Sequence, residues 1–158
     1  MATRILIVAV GKLKERFWEE AVAEYSKRLR PYAKLEIREV ADRDPAKCGG
    51  ERAAMQREAA DILAAIPPQA HCILLAIGGT QRSSQDLSQH LDALALQGAS
   101  DLCFVIGGST GVDEQVMQRA QETLSFGPIT LPHNLARVVL LEQLYRAFRI
   151  SRGEPYHK

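Results

Sequence analysis

The sequence predicts a single α/β domain in which a parallel sheet carries helices on both faces. Short apolar runs of strand length alternate with longer stretches of helical composition along the whole chain, an order that is typical of parallel sheets. The chain has 158 residues, of which 46% are hydrophobic and 25% charged. It is therefore long enough to bury one core without disulfides or metal ions. We expect residues 1–158 to form one domain.

The first half of the chain alternates β-branched runs with helical stretches. Pro31 and the pair Pro67-Pro68 end the two helices, because proline cannot continue a helix. The Asp-, Pro- and Gly-rich segment Asp42–Gly50 predicts a mobile loop. The elements expected here are strands at Arg4–Val10, Leu35–Val40 and His71–Ile77 and helices at Lys14–Arg30 and Glu51–Ile66.

Glycines and a capping sequence delimit the elements of the second half. Ser83-Ser84-Gln85-Asp86 predicts the start of a helix that points Leu87, Leu91 and Leu94 inward and ends at Gly98. The other elements expected here are strands at Asp101–Ile106 and Ile129–Leu131, a helix starting near Asp113, a helix over about Asn134–Ile150, and an extended tail from Ser151.

Cysteine usage and hydropathy exclude several classes of protein. The three cysteines are widely spaced and form no C-x-x-C pair, so neither a disulfide framework nor a metal site is expected. Cys72 and Cys103 fall in strand patterns and are interpreted as small buried hydrophobes. The N-terminal apolar run is too short for a membrane span and leads directly into a charged helix. We expect a cytoplasmic protein without a membrane segment.

The charge is unevenly distributed, although the net charge is only +1. Residues 4–38 hold nine Lys and Arg against five acidic residues, and residues 137–158 hold five against two. The intervening residues 39–136 hold six against twelve. A phosphate-binding face assembled from the two ends is one interpretation, and ordinary solvated helix faces are the other.

Three segments are expected at the carboxyl edge of the sheet, where parallel sheets bind ligands. They are Gly78–Thr80, Gly107–Gly111 and Ser125–His133. Glycine at a strand end allows a ligand to approach the backbone closely, although ordinary turns use the same residues. The glycine loop lacks the Lys-Ser/Thr of a P-loop and the G-x-G-x-x-G spacing that cradles a pyrophosphate. A nucleoside ligand without a phosphate, such as S-adenosylmethionine, fits this pattern better than ATP or NAD.

The strings FVIGGSTGV, LSFGPITLPHNLARVVLLEQLYRAFRI and RGEPYHK make the second half recognisable. With the N-terminal strand that opens into V-G-K, they resemble the RlmH family of ribosomal RNA large-subunit methyltransferases in the SPOUT superfamily. The resemblance implies a deep C-terminal trefoil knot, a homodimer, and methylation of N3 of a pseudouridine in 23S ribosomal RNA on the ribosome. It also implies S-adenosylmethionine as cofactor, bound by Leu75, Gly107, Phe126, Gly127, Pro128, Ile129, Thr130 and Leu131.

The end of the chain is the expected acceptor side of the site. N3 of the base carries a proton that must leave, so a base or a polarising cation is needed near it. We assign this role to Arg146, Tyr156 and His157, with Glu142 orienting them. His133 either caps the last helix or faces the cofactor, and the sequence leaves both possibilities open.

Two other functions remain open at this point. The first is a related methyltransferase that modifies another RNA position, and the second is a ribosome-binding factor that has kept the fold without catalysis. A nucleotide-dependent oxidoreductase is disfavoured, because the chain has no phosphate fingerprint followed by an acidic residue at the end of the second strand.

Overall fold

A computed structural model of the chain describes residues 3–108 and 111–156. Within these residues, five parallel strands form one sheet in the order β2-β1-β4-β3-β5. The elements are β1 (Thr3–Val10), α1 (Arg16–Leu29), β2 (Ala33–Val40), α2 (Pro45–Cys48), α3 (Glu51–Ala65), β3 (His71–Gln81), α4 (Ser84–Leu96), β4 (Asp101–Ile106), α5 (Glu114–Arg119), β5 (Glu122–Ser125) and α6 (His133–Ser151). The predicted parallel α/β sheet is confirmed.

The sheet separates two apolar cores. Helices α1, α4 and α6 cover one face, where Leu29, Leu91 and Leu140 pack against the sheet. Helices α3 and α5 cover the other face, where Ile62 and Val116 are buried. Successive side chains of a strand point to opposite faces, so β1 and β4, buried on both sides, read as continuous apolar runs.

Helix starts follow the predicted capping chemistry. The Ser83 side chain accepts a hydrogen bond from the Asp86 backbone N–H at 3.0 Å, as the capping sequence predicts. Asp113 caps α5 in the same way, accepting from the Gln115 N–H at 2.9 Å. Cys72 and Cys103 are free and buried on paired strands, as expected. No helix in the described part of the chain has the length and apolar character needed to cross a membrane.

The last strand is not where the sequence predicts it. The expected strand Ile129–Leu131 is wrong: β5 is Glu122–Ser125, and residues 126–132 form a loop. Pro128 and Pro132 bracket this segment and remove backbone donors that a strand in the sheet would need. Leu124 supplies the buried apolar side chain of β5 instead.

Three other segments differ from expectation. Asp42–Gly50 contains the short helix α2, which forms because the Asp44 side chain caps Ala46 N–H at 3.0 Å. Strand β3 continues to Gln81 through a bulge. Residues 152–156 of the tail fold back and are not extended, since the Glu154 N–H donates to the Arg149 carbonyl at 2.9 Å.

Candidate functional site

A cleft of about 310 Å³ opens at the carboxyl edge of the sheet between β5, α4 and α6. Its walls combine apolar side chains with a few polar groups, as small-molecule sites do. A second cavity, next to Thr3 and Ser151, measures only about 40 Å³ and has room for little more than water. The residues that line the larger cleft are Gln81, Arg82, Leu87, Leu124, Ser125, Phe126, Gly127, Val139 and Gln143.

Ser125 joins two of the loops that shape this cleft. Its hydroxyl donates to the Ile77 carbonyl at 2.7 Å and accepts from the Gly127 N–H at 3.0 Å. Leu75 and Thr80 both align with Leu124, so the residues between them bulge out of the ladder. The bulge leaves Ile77 exposed beside the cleft. Ser125 therefore ties the β3 bulge to the start of the loop after β5.

The predicted cofactor residues lie at the ends of three strands, β3, β4 and β5. Only some of them line the cleft. Phe126 and Gly127 line the cleft, and Leu75 is paired with Leu124, which also lines it. The run from Pro128 to Thr130 is exposed, with Ile129 70% accessible, and Leu131 is half-buried. Pro128–Leu131 and Gly107 are outside the lining of the cleft.

Gly107 is closely packed where β4 ends. A Cβ at this position would lie 2.6 Å from Val112 Cγ2, so a larger residue forces the loop to move. At the next residue, Gly108, a Cβ would lie 2.9 Å from Val10 Cγ1 and 3.3 Å from Glu58 Oε1. A side chain at either position would therefore force a neighbouring valine to shift. Ser109 and Thr110, which follow, lie outside the described residues.

Glu142 lies at the centre of the predicted acceptor group. Arg146 Nη2 donates to Glu142 Oε2 at 3.1 Å, and the Tyr156 hydroxyl donates to the same oxygen at 3.0 Å. The Arg146 guanidinium also stacks over the Tyr156 ring at 4.6 Å. The structure thus brings together Glu142, Arg146 and Tyr156, with Glu142 as their common partner. His157, the fourth predicted residue, lies outside the described residues.

The folded tail holds Tyr156 against α6. Glu154 accepts from the Tyr32 hydroxyl at 3.1 Å and from Arg149 Nη1 at 2.7 Å, and Arg149 Nη2 donates to the Pro155 carbonyl at 2.8 Å. Burial and the hydrogen bond to Glu142 raise the pKa of Tyr156 to about 12. Tyr156 is therefore a hydrogen-bond donor near neutral pH and not a proton acceptor.

Gln143 connects the cleft to the acceptor group, a role that the sequence did not predict. Its Nε2 donates to Glu142 Oε1 at 2.7 Å, and its Oε1 accepts from the Ser84 hydroxyl at 2.6 Å. The orientation of the amide is fixed by chemistry, since a carboxylate can only accept. Only the packing of α4 against α6 places Ser84 beside Gln143.

A second polar cluster lies where β3 and β5 begin, and the cleft-lining Arg82 reaches it with Nη2 4.0 Å from Glu122 Oε1. His71 Nε2 lies 2.6 Å from Glu122 Oε2, and His90 Nε2 lies 2.7 Å from Glu122 Oε1. Burial acts to raise the pKa of Glu122, but the two histidine hydrogen bonds outweigh it and lower that pKa. This cluster is not predictable from the sequence, since Glu122 is distant in the chain from both His71 and His90. No group suited to holding a metal occurs among residues 3–108 and 111–156.

The start of α6 is fixed to the loop after β1 by a buried arginine. Arg137 Nη1 donates to Glu39 Oε2 at 2.6 Å and Nη2 donates to the Gly11 carbonyl at 3.2 Å. His133, at the first turn of α6, makes no capping bond, since the N-cap is Pro132. Its Nε2 approaches Gly11, lying 3.6 Å from where a Cβ would be.

The two basic ends of the sequence are neighbours in space. Helices α1 and α6 pack together, with the Arg28 guanidinium 5.8 Å from the centre of the Tyr145 ring. Arg152, at the end of α6, lies 4.6 Å over the Tyr32 ring in the turn after α1. The arrangement supports the interpretation in which one basic face is built from both ends.

A parallel α/β sheet with segments from two strand ends, those of β3 and β5, around a nucleoside-sized cleft defines the class of protein, and comparisons with known proteins identify the family. The family model described as predicted SPOUT methyltransferase matches residues 3–157. A Bacillus pumilus protein named ribosomal RNA large subunit methyltransferase H is 51% identical over 157 residues, covering 98% of this chain and 99% of the relative. A Listeria monocytogenes protein of the same name is 52% identical, with the same coverage. The chain therefore belongs to the SPOUT methyltransferases and, within them, to the ribosomal RNA large subunit methyltransferase H family.

Solved structures share the fold at low sequence identity. A probable methyltransferase from Bordetella pertussis matches with a TM-score of 0.53 and 14% identity, covering 92% of this chain and 96% of that one. A probable methylase family protein from Haemophilus influenzae matches with a TM-score of 0.52 and 11% identity, covering 99% of this chain and 70% of that one. At such identity the likeness extends to the fold alone.

Proposed function

We propose that this chain uses S-adenosylmethionine to methylate N3 of a pseudouridine in 23S ribosomal RNA on the assembled ribosome. The observation that supports this most directly is that the cleft proposed for the donor lies next to the acceptor group of Glu142, Arg146 and Tyr156. A nucleoside-sized cleft is lined by Phe126, Gly127 and Gln143, and Gln143 is hydrogen-bonded to Glu142 of the acceptor group. The names of the half-identical relatives point to the large ribosomal subunit as the place of the substrate.

The cleft fits the donor chemically. Leu87, Leu124 and Val139 supply apolar walls for an adenine, while Ser125 and the backbone around Gly127 supply polar groups. S-adenosylmethionine, when bound, supplies a methyl group on a sulfonium. The neutral thioether that departs after transfer is a good leaving group. The residues proposed to hold it are Leu75, Gly107, Phe126, Gly127, Pro128, Ile129, Thr130 and Leu131.

The protein's own contribution to transfer is alignment and charge. Arg146 is held in place by Glu142, so its guanidinium is preorganised to bind a phosphate or a carbonyl oxygen that gains charge. Tyr156 offers a ring for stacking on a base and a hydroxyl that stays protonated. We assign uptake of the N3 proton to His157, directly or through water.

The proposal includes an assembly, a topology and a location. A homodimer adds wall and basic surface around an unstacked RNA base, which a domain of this size lacks alone. Sedimentation equilibrium tests the dimer. The trefoil knot of the C-terminal segment and residence in the cytoplasm are proposed on the family relationship, and a traced electron-density map tests the knot.

The decisive experiment is methylation of ribosomes that lack the modification, with the product nucleoside mapped by mass spectrometry. Gly107→Arg is expected to abolish donor binding. Deletion of residues 156–158 is expected to leave donor binding intact and stop turnover. Methylation at another position would contradict the N3 assignment, and ribosome binding without donor affinity would indicate a non-catalytic factor. Equal methylation of protein-free RNA and ribosomes would contradict the assembled ribosome as substrate.

A further inference from the structure

Four side chains form a continuous hydrogen-bonded path from α4 to the tail. Ser84 donates to Gln143 at 2.6 Å, Gln143 donates to Glu142 at 2.7 Å, and Tyr156 donates to Glu142 at 3.0 Å. The two Glu142 oxygens are shared differently: Oε1 accepts from Gln143, and Oε2 accepts from Tyr156. Gln143 is also the one member of this path that lines the cleft.

Each link of the path has a partner that fixes it. A glutamate on a helix surface has several rotamers of similar energy, and an arginine beside it holds it only loosely when both are exposed. Here the Glu142 and Arg146 side chains are 19% and 24% exposed. Arg146 donates to both carboxylate oxygens, from Nε to Oε1 at 3.3 Å and from Nη2 to Oε2 at 3.1 Å, and the Gln143 amide adds a shorter bond to Oε1 at 2.7 Å. Ser84 then prevents the amide from rotating, because its hydroxyl occupies the amide oxygen.

We infer that Gln143 is a positioning residue for methyl transfer, anchored by Ser84, that holds Glu142 in the rotamer in which Arg146 and Tyr156 face the acceptor base. The inference rests on the proposed function, since it assigns the acceptor role to Glu142, Arg146 and Tyr156. Gln143 itself acts through Glu142. Because Gln143 lies on the cleft wall, it connects the donor cleft to the acceptor group.

The first test is single-turnover methylation of unmodified ribosomes at saturating donor and ribosome. Gln143→Met keeps the length of the side chain and removes both hydrogen bonds. We expect a loss of about ten- to a hundredfold in rate, which corresponds to one hydrogen bond to a charged group. Gln143 also lines the cleft, so saturating donor is used to keep any change in donor affinity out of this rate. Ser84→Ala is expected to give a smaller loss. The matched control is Gln89→Met, an exposed glutamine on α4, which is expected to be neutral.

A double-mutant cycle separates positioning from a general structural effect. If Gln143 acts only through Glu142, then Gln143→Met adds no further loss to Glu142→Gln, because groups that act as a unit are not additive. Additive losses, or a wild-type rate in Gln143→Met, would overturn the inference.

The final measurement does not depend on turnover, so it distinguishes failure of this inference from failure of the proposed function. The ultraviolet titration of Tyr156 is isolated by subtracting the curve of Tyr156→Phe in the same background. In Gln143→Met, Glu142 is free to move away from the Tyr156 hydroxyl. The Tyr156 midpoint is then expected to fall from about 12 by the part that Glu142 contributes, while burial, the larger cause, keeps it above its ordinary value. An unchanged midpoint would overturn the positioning role. Absence of methylation by the wild-type chain would refute the proposed function alone.

Discussion

Removal of either partner of the Arg137–Glu39 ion pair is expected to destabilise the fold, but to different extents. Arg137 is 1% exposed, whereas Glu39 is 33% exposed, and their closest atoms are 2.6 Å apart. Breaking a buried pair by removing one partner costs about 3–5 kcal/mol, mostly because the other charge stays buried without compensation. The cost therefore depends on which charge is left behind.

Glu39→Gln leaves the fully buried guanidinium without its anion, so the full loss of about 3–5 kcal/mol is expected. Arg137→Met leaves a carboxylate that is one-third exposed and can rehydrate, and Met fills most of the vacated volume. The Gly11 carbonyl also loses its donor in this variant, at about 1–3 kcal/mol. We expect Arg137→Met to cost about 2–3 kcal/mol, less than Glu39→Gln.

Urea denaturation followed by circular dichroism at one protein concentration measures both free energies of unfolding. For a chain of this size, 1 kcal/mol corresponds to roughly 2–4 °C in Tm, so thermal melts provide a second readout. Arg16→Met is the control, because Arg16 and Glu20 form an exposed pair and no measurable loss is expected. An equal or larger loss in Arg137→Met than in Glu39→Gln would refute the reasoning from burial.

Three further predictions concern single residues. With the proposed donor role of Gly107, Gly107→Ala is expected to weaken S-adenosylmethionine binding roughly tenfold or more by calorimetry, since the added Cβ would lie 2.6 Å from Val112 Cγ2 and displace the loop after β4. The ultraviolet titration difference between the wild-type chain and Tyr156→Phe is expected near pH 12, because burial and Glu142 raise the pKa of Tyr156 to about 12. Glu122→Gln is expected to lower the free energy of unfolding at neutral pH by about 1–3 kcal/mol. A carboxylate whose pKa is lowered by folding stabilises the fold only while it is ionised. The deficit in unfolding free energy of Glu122→Gln relative to the wild-type chain is therefore expected to shrink as the pH falls below the ordinary carboxylate range.

Each of these predictions has a contradicting result. Wild-type donor affinity in Gly107→Ala would show that the loop after β4 adapts without cost. A Tyr156 titration in the ordinary range would mean that the tail leaves α6 in solution. A Glu122→Gln deficit that stays constant as the pH falls below the ordinary carboxylate range would indicate that the contacts with the two histidines do not depend on the carboxylate charge.

Local sequence patterns determined most of the secondary structure. Strands β1 and β4 were predictable because both are buried on two faces and read as unbroken apolar runs. The caps at Ser83 and Asp113 were predictable because a capping side chain bonds a backbone N–H only two or three residues away. The strand at Glu122–Ser125 was missed, since a short edge strand with a single fully apolar position carries little periodicity.

The pairing of Glu142 with Arg146 was also predictable from the sequence, since the two are four residues apart on one helix face. Only the tertiary structure decided the contacts between residues distant in the chain. These are the contacts of Gln143 with Ser84, of Glu122 with His71 and His90, and of Arg137 with Glu39. These bonds depend on how the helices pack on the sheet and on which strands are neighbours. Sequence periodicity reports the buried face of each element, but it contains no information on which polar groups of other elements will lie opposite that face.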